Sequence, residues 1–253
     1  MNGDSPLQQN YERVLARIEG ACEAAGRPRT AVRLLAVSKT FPASDVLALA
    51  ALGQRAFGEN YVQEALDKIS TCRDERSQPN EGRGPTPRLE WHFIGPIQSN
   101  KTRPVAESFD WVHSVDREKI AHRLAEQRPA ARGALQVCVQ VNVSGETSKS
   151  GVAPQEAFAL ASLCSTLPGL RLRGLTAIPE PTDDVSLQRR RFAQLRELHE
   201  RIRAVLAHEA AERFDTLSMG MSADLEAAVA EGATIVRIGT ALFGNRPPKT
   251  GGR

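Results

Sequence analysis

Eight short apolar runs recur along the chain, and a helix pattern follows all but the last. The runs are Leu34 to Val37, Arg55 to Gly58, Trp91 to Ile94, Trp111 to Val115, Leu135 to Val143, Leu170 to Ile178, Thr216 to Met219 and Thr234 to Ile238. Between them lie helix patterns from Pro42 and Asp45 to Gly53, Tyr61 to Ile69, Asn100 to Glu107, Arg117 to Gln127, Pro154 to Leu167, Leu187 to Glu209 and Ala223 to Ala230. One further helix, Leu7 to Ala25, stands in front, with Val14, Ile18 and Cys22 one turn apart. Repeated strand–helix units imply a parallel sheet with right-handed crossovers. Eight such units in 253 residues match a closed (β/α)8 TIM barrel. The alternative is an open doubly wound sheet, which carries a glycine fingerprint in its first βα turn. Here that turn reads Ser38-Lys39-Thr40-Phe41-Pro42, without glycine.

The expected organisation is one barrel domain over 1–253. The polar stretch Arg73 to Arg88 holds three prolines and two glycines and has no apolar period. It reads as a mobile insertion (about 71–88), and the glycine-rich end (about 247–253) reads as a flexible tail. No run of about 18 apolar residues is present, so no transmembrane helix is expected. Met1 to Tyr11 lacks the apolar centre of a secretory signal. Lys and Arg number 33 against 30 Asp and Glu, too even a balance for a dedicated nucleic-acid binder. With 2 Trp and 2 Tyr, few stacking platforms exist for single strands. Cys22, Cys72, Cys138 and Cys164 form no CxxC pair and no zinc spacing. They are read as reduced thiols of a cytoplasmic protein.

In a barrel, chemistry collects at the C-terminal ends of the strands. Lys39 follows the first strand directly. A lysine leaving a crowded barrel mouth is partly desolvated, which favours the neutral amine and Schiff-base chemistry with an aldehyde. Taken alone, it reads more readily as a solvated cap. Ser218-Met219-Gly220 ends strand seven ahead of a helix starting near Ser222, and Gly239-Thr240 ends strand eight. Glycine allows close backbone approach to an anion, and barrels often hold a phosphate between these two loops. Arg237 shares a strand face with Gly239. An inward arginine needs an acceptor, either a carboxylate or a ring nitrogen of a ligand. A lysine, a phosphate cradle and an inward arginine together suggest pyridoxal 5'-phosphate (PLP).

At this point the motifs are recognisable. Leu35-Ala36-Val37-Ser38-Lys39-Thr40, Phe57 to Glu64 (FGENYVQE) and Trp91 to Lys101 (WHFIGPIQSNK) resemble the PLP homeostasis protein family, called YggS in bacteria and PROSC in animals. Further matches are Val141-Asn142-Val143, Lys149-Ser150-Gly151, Arg173-Gly174-Leu175, Leu217 to Ser222 (LSMGMS) and Val236 to Thr240 (VRIGT). The resemblance implies a fold-type III barrel like the N-terminal domain of alanine racemase, without the C-terminal β-domain. It implies a Schiff base on Lys39 and phosphate contacts from Ser218, Met219, Gly220, Gly239 and Thr240. It places Arg237 at the pyridine nitrogen, with Asn60 and His92 lining the same mouth. The implied role is a PLP carrier, reservoir or regulator without established turnover. PLP-dependent apoenzymes would be the recipients, with no nucleic acid or membrane partner and a monomeric state.

The rival reading is a PLP-dependent amino-acid racemase. That chemistry needs a second base, a tyrosine supplied in alanine racemase by the C-terminal domain. The tyrosines here are Tyr11, in the leading helix, and Tyr61, near the mouth. Arginine at the ring nitrogen also weakens the electron sink, because it does not readily give up a proton. A purely structural role would leave Lys39 and the strand-eight motif unexplained. Other residues are expected to be unremarkable. His113 and Trp111 pack strand four, and His122, His199 and His208 are solvated on helices. Glu59 is a buried partner for a nearby cation. Met219 packs, with a backbone N–H to offer.

Overall fold

The computed structural model describes residues 5–77, 88–146 and 149–244. Its strands are β1 (Arg33–Val37), β2 (Ala56–Glu59), β3 (Glu90–Phe93), β4 (Trp111–Val115), β5 (Leu135–Gln140), β6 (Leu170–Thr176), β7 (Thr216–Ser218) and β8 (Ile235–Ile238). They pair in chain order, all parallel, and β8 closes on β1 with Arg237 beside Leu35. The result is a closed barrel, not an open sheet. Helix α1 (Pro6–Ala24) precedes it. Around it stand α2 (Ala43–Ala51), α3 (Val62–Ser77), α4 (Thr102–Ser108), α5 (Glu118–Gln127), α6 (Ala157–Thr166), α7 (Val185–Val205), α8 (His208–Arg213), α9 (Leu225–Ala230) and α10 (Thr240–Phe243). No helix among the described residues is long and apolar enough to cross a membrane.

Strand alternation sorts the side chains into two environments. Leu34, Ala36, Phe57, Phe93, Val137, Val139, Val236 and Ile238 face the helices and form one large core with them. Facing the barrel axis is a second, much smaller apolar group of Leu35, Ala56 and Ile235, with Ile94 against it. Much of the remaining interior is polar: His92, His113, Thr176, Ser218 and Arg237 are all buried. Barrel interiors are more often filled by branched aliphatic side chains.

Several boundaries differ from the sequence expectation. Helix α3 runs to Ser77 rather than stopping near Ile69. Residues 70–77 contain no Pro or Gly, and Cys72, buried, extends the face that begins at Ala65. The rest of the expected insertion, 78–87, and the tail, 247–253, lie outside the described residues. The expected long helix to Glu209 is two helices, because Leu206 turns extended and packs on the core. Strand β5 stops at Gln140, and Val141 then bridges to Val152. There Gly151 lies so close that a Cβ would sit 2.8 Å from the Asn142 nitrogen. Strand β8 is followed by the short helix α10, which the sequence pattern missed. His199 is not solvated. It is buried, stacks on Phe214 at 4.3 Å, and burial pushes its pKa down to about 4. All four cysteines are free and buried.

Candidate cofactor site

Alternation carries Leu35 and Val37 toward the axis, and Lys39 continues that parity as the chain leaves β1. Lys39 is half-buried at the barrel mouth. Immediately after it, Thr40 adopts φ 68, the one positive φ at a non-glycine among the described residues. Such strain costs on the order of 1–3 kcal/mol and must be held by its surroundings. The restraint lies on both sides of the lysine. The Thr40 N–H donates to Glu64 Oε1 at 2.5 Å, and the Ser38 hydroxyl donates to Glu59 Oε1 at 2.7 Å. Lys68 Nζ ties both together, donating to Glu59 Oε1 at 2.6 Å, Glu64 Oε1 at 3.1 Å and the Ser38 carbonyl at 2.8 Å. Burial pushes the Glu59 carboxyl up, and the Lys68 charge and hydrogen bond pull against it. Glu59 is thus a cation partner, as expected, and Lys68 is the cation. The sequence reading missed Lys68 and Glu64, because α3 looked like an ordinary solvated helix. Their i, i+4 spacing was the available signal.

Asn60 follows β2 at the same rim. Its Oδ1 is buried without a partner among the described residues, as are Thr40 Oγ1 and Glu59 Oε2. Gly95, after β3, packs directly on it; a Cβ there would lie 2.3 Å from the Asn60 carbonyl oxygen. Glycine is therefore required for the two loop ends to meet.

Across the mouth, Gly220 takes φ 92, and a Cβ would come within 2.5 Å of the Ala228 Cβ. The amides of Gly220, Ser222, Gly239 and Thr240 donate no hydrogen bond among the described residues. They form an arc of open donors at the ends of β7 and β8. Met219 does not join it. Its N–H donates to the Ile235 carbonyl at 3.1 Å and its side chain is fully buried. Helix α9 begins at Leu225 rather than near Ser222, with the Met221 N–H capped by Asp224 Oδ1 at 2.5 Å. Thr240 is exposed and Gly239 half-buried.

Arg237 projects from β8 into the barrel beneath this arc, 5% exposed. Its Nη1 donates to the Ser218 carbonyl at 2.5 Å, Ser218 Oγ at 2.9 Å and Thr176 Oγ1 at 3.1 Å, and its Nη2 to the Ala177 carbonyl at 2.9 Å. No carboxylate pairs with it directly, and its Nε has no partner among the described residues. Burial lowers its pKa to about 10, so it stays charged at neutral pH. Thr176 and Ala177, which fix its aim, carried no signal in the sequence. His92 does not line the open mouth. It is fully buried in the barrel interior, its ring between Glu90 Oε1 at 2.6 Å and His113 Nε2 at 2.8 Å. Ser218 likewise points its hydroxyl inward, 2.8 Å from His113 Nδ1. No group of three or more metal-ligating side chains occurs among the described residues.

A lysine after β1, open amides after β7 and β8 and an inward arginine on β8 define a barrel of the alanine racemase N-terminal class. The family model described as "Alanine racemase, N-terminal domain" matches residues 9–247. The PLP homeostasis protein of Pseudomonas aeruginosa is 58% identical over 242 residues, covering 96% of each chain. That of Vibrio cholerae is 54% identical over 240 residues, covering 95% of this chain and 96% of its own. Among solved structures, PipY of Synechococcus elongatus with PLP bound superposes with a TM-score of 0.72 at 36% identity, covering 91% of this chain and 100% of that one. Alanine racemase from Corynebacterium glutamicum shares the fold, with a TM-score of 0.61 at 15% identity over 94% of this chain and 62% of its own. The chain belongs to the PLP homeostasis protein family.

Proposed function

We propose that this protein binds PLP through a Schiff base on Lys39 and serves as a carrier or reservoir in PLP homeostasis. The observation that carries the reading is the buried, charged Arg237 with no direct carboxylate partner, set below open backbone donors and on the strand next to the one that leads into the inward-parity lysine. An ionised group so placed calls for an electron-rich ligand, and a pyridine nitrogen supplies one. The residues fit the group in three further respects. Gly220, Gly239 and Thr240 offer amides to a phosphate. The unpaired Asn60 Oδ1 and Thr40 Oγ1 are acceptors for ring substituents. The strained turn at Thr40, clamped by Glu64, fixes the backbone that carries Lys39. PLP supplies an aldehyde and an electron-poor ring.

Arg237 keeps its proton, so the ring nitrogen remains an acceptor. The site holds the aldehyde through the lysine and exchanges it with water or an incoming amine at the open mouth. PLP-dependent apoenzymes are the proposed recipients, and the working unit is a monomer. The relatives' names describe a homeostasis protein rather than an enzyme. Tyr61, the candidate second base of a racemase, is 56% exposed, and Tyr11 is buried with its hydroxyl 3.5 Å from Gln54 Oε1. Neither position favours the racemase reading. The test is a visible spectrum of purified protein with added PLP, then borohydride reduction and peptide mapping. An imine band and a reduced adduct on Lys39 are expected. No band and no adduct would overturn the reading.

A further inference from the structure

The polar interior of the barrel is not explained by a lysine and a phosphate cradle. Its members form one continuous chain of hydrogen bonds. Arg237 Nη1 lies 2.9 Å from Ser218 Oγ, Ser218 Oγ 2.8 Å from His113 Nδ1, His113 Nε2 2.8 Å from His92 Nδ1, and His92 Nε2 2.6 Å from Glu90 Oε1. Glu90 opens β3 at the N-terminal end of the barrel, where Arg33 Nη1 also donates to its Oε1 at 2.7 Å. The chain therefore runs from one end of the barrel to the other.

Its direction is determined from both ends. Guanidinium groups only donate, so Ser218 Oγ accepts from Arg237. At the far end, burial would raise the Glu90 carboxyl, but the His92 hydrogen bond and field together with the Arg33 charge outweigh it and hold the pKa at about 2. Glu90 is then a carboxylate, which only accepts, so His92 donates through Nε2. Burial lowers the pKa of both imidazoles, well below its ordinary value for His113. In the neutral ring one nitrogen donates and the other accepts. His92 Nδ1 must accept from His113 Nε2–H, and His113 Nδ1 must accept from the Ser218 hydroxyl. Every N–H and O–H in the chain points away from Arg237 and toward Glu90. A buried charge without a partner is costly; the Asp224 field favours the charged guanidinium, and the hydrogen-bonded chain links it to a second carboxylate, Glu90, through a hydroxyl and two imidazoles.

We propose that Glu90, His92 and His113 are positioning residues for Arg237, a one-way chain that holds the guanidinium charged and aimed at the mouth from the other end of the barrel. The consequence for bound PLP rests on the reading in the preceding subsection. The chain itself does not.

The test begins on protein without added cofactor. Nitrogen-15 spectra of labelled histidine should show His92 and His113 both as neutral Nε2–H tautomers. Glu90→Gln keeps the shape and an acceptor oxygen but removes the charge. It should populate the other tautomer of His113 and move the Arg237 Nε resonance. Arg33→Gln leaves the carboxylate in place and should move neither. If Glu90→Gln does not fold, Arg237→Lys probes the same coupling from the mouth, since such coupling is reciprocal, and the histidine resonances should move. With PLP bound, Glu90→Gln should change the cofactor dissociation rate by about twofold to 30-fold. A charged imidazole or an Nδ1–H tautomer at neutral pH in the unaltered protein would overturn the proposal. So would equal effects of Arg33→Gln and Glu90→Gln, or an Arg237 resonance that ignores Glu90. Correct tautomers without an adduct on Lys39 would instead overturn the cofactor reading and leave the chain standing.

Discussion

The two ends of the barrel treat polar groups in opposite ways. At the N-terminal end, charges are matched. Arg33 pairs with Glu90, Arg88 with Asp110, and Arg173 grips Asp215 through both carboxylate oxygens while its guanidinium lies 4.9 Å from the Trp111 ring. Buried Arg128 donates to the carbonyls of Ala106, Phe109 and Gly133. At the C-terminal end, amides stay open after β7 and β8, and Thr40 is strained. Three of the five unpartnered buried polar atoms among the described residues, on Thr40, Glu59 and Asn60, gather at the ends of β1 and β2. Buried polar groups in folded proteins are nearly always satisfied. The cluster that is not satisfied lies at the end where the cofactor site is proposed. The lesson is that the chain satisfies its own polar groups at one end of this barrel and leaves donors and acceptors open at the other.

The largest break in that contrast should come from Lys39→Ala. The borohydride-reducible PLP adduct should vanish entirely in intact-mass spectra, while phosphate-driven, non-covalent binding persists. A reducible adduct surviving in the variant would move the attachment point elsewhere. Lys68→Met strands Glu59 behind the mouth. Breaking a buried ion pair on one side costs about 3–5 kcal/mol, to be read by urea denaturation without PLP. A loss below about 1 kcal/mol would mean that the Lys39 turn does not depend on this clamp.

Gly95→Ala should cost less, about 1–3 kcal/mol, and should weaken PLP binding, because the new methyl displaces Asn60. Unchanged affinity would remove Asn60 from the site. At the opposite end, the Glu90 carboxyl is held at about 2 against an ordinary 4.5. A depressed carboxyl contributes stability that is fully present above pH 4.5 and lost as pH falls toward about 2. Glu90→Gln should flatten the thermal-stability profile in that window. An unaltered acid limb would count against the pairing. The smallest effect is expected from Arg33→Gln, under about 1 kcal/mol, since that ion pair is partly exposed. A larger loss by denaturation would show that the matched end carries more of the stability than the contrast implies.

Much of the architecture was legible from pattern alone. A buried parallel strand leaves an apolar run and a covering helix leaves a 3.6-residue period, so all eight strands and a helix after each of the first seven could be placed. Errors came at ends, where a side chain's burial decides. Cys72 extended α3, Leu206 broke the expected long helix, and nothing in four residues announced α10. At the C-terminal rim, the inward parity of Lys39 and Arg237 and the turns at Gly220 and Gly239 were legible because strand alternation and glycine have local causes. Met219 was misassigned because its N–H is engaged by Ile235, a partner on the neighbouring strand. His92 was misplaced because the motif records which residue is present but not how deep in the barrel its ring sits.

Family membership, the order of the strands and the side of each strand that faces inward follow from the sequence itself, because alternation and periodicity are properties of adjacent residues. Closure of the ring decided everything that depends on distant residues meeting. Lys68 reaches Glu59 only when α3 lies over β2, and Thr176 reaches Arg237 only when β6, β7 and β8 stand side by side. The histidine chain joins β3, β4, β7 and β8, and no short-range pattern encodes such a path. Hydrogen bonds act over a few ångströms, and only the closed barrel brings those strands within that range.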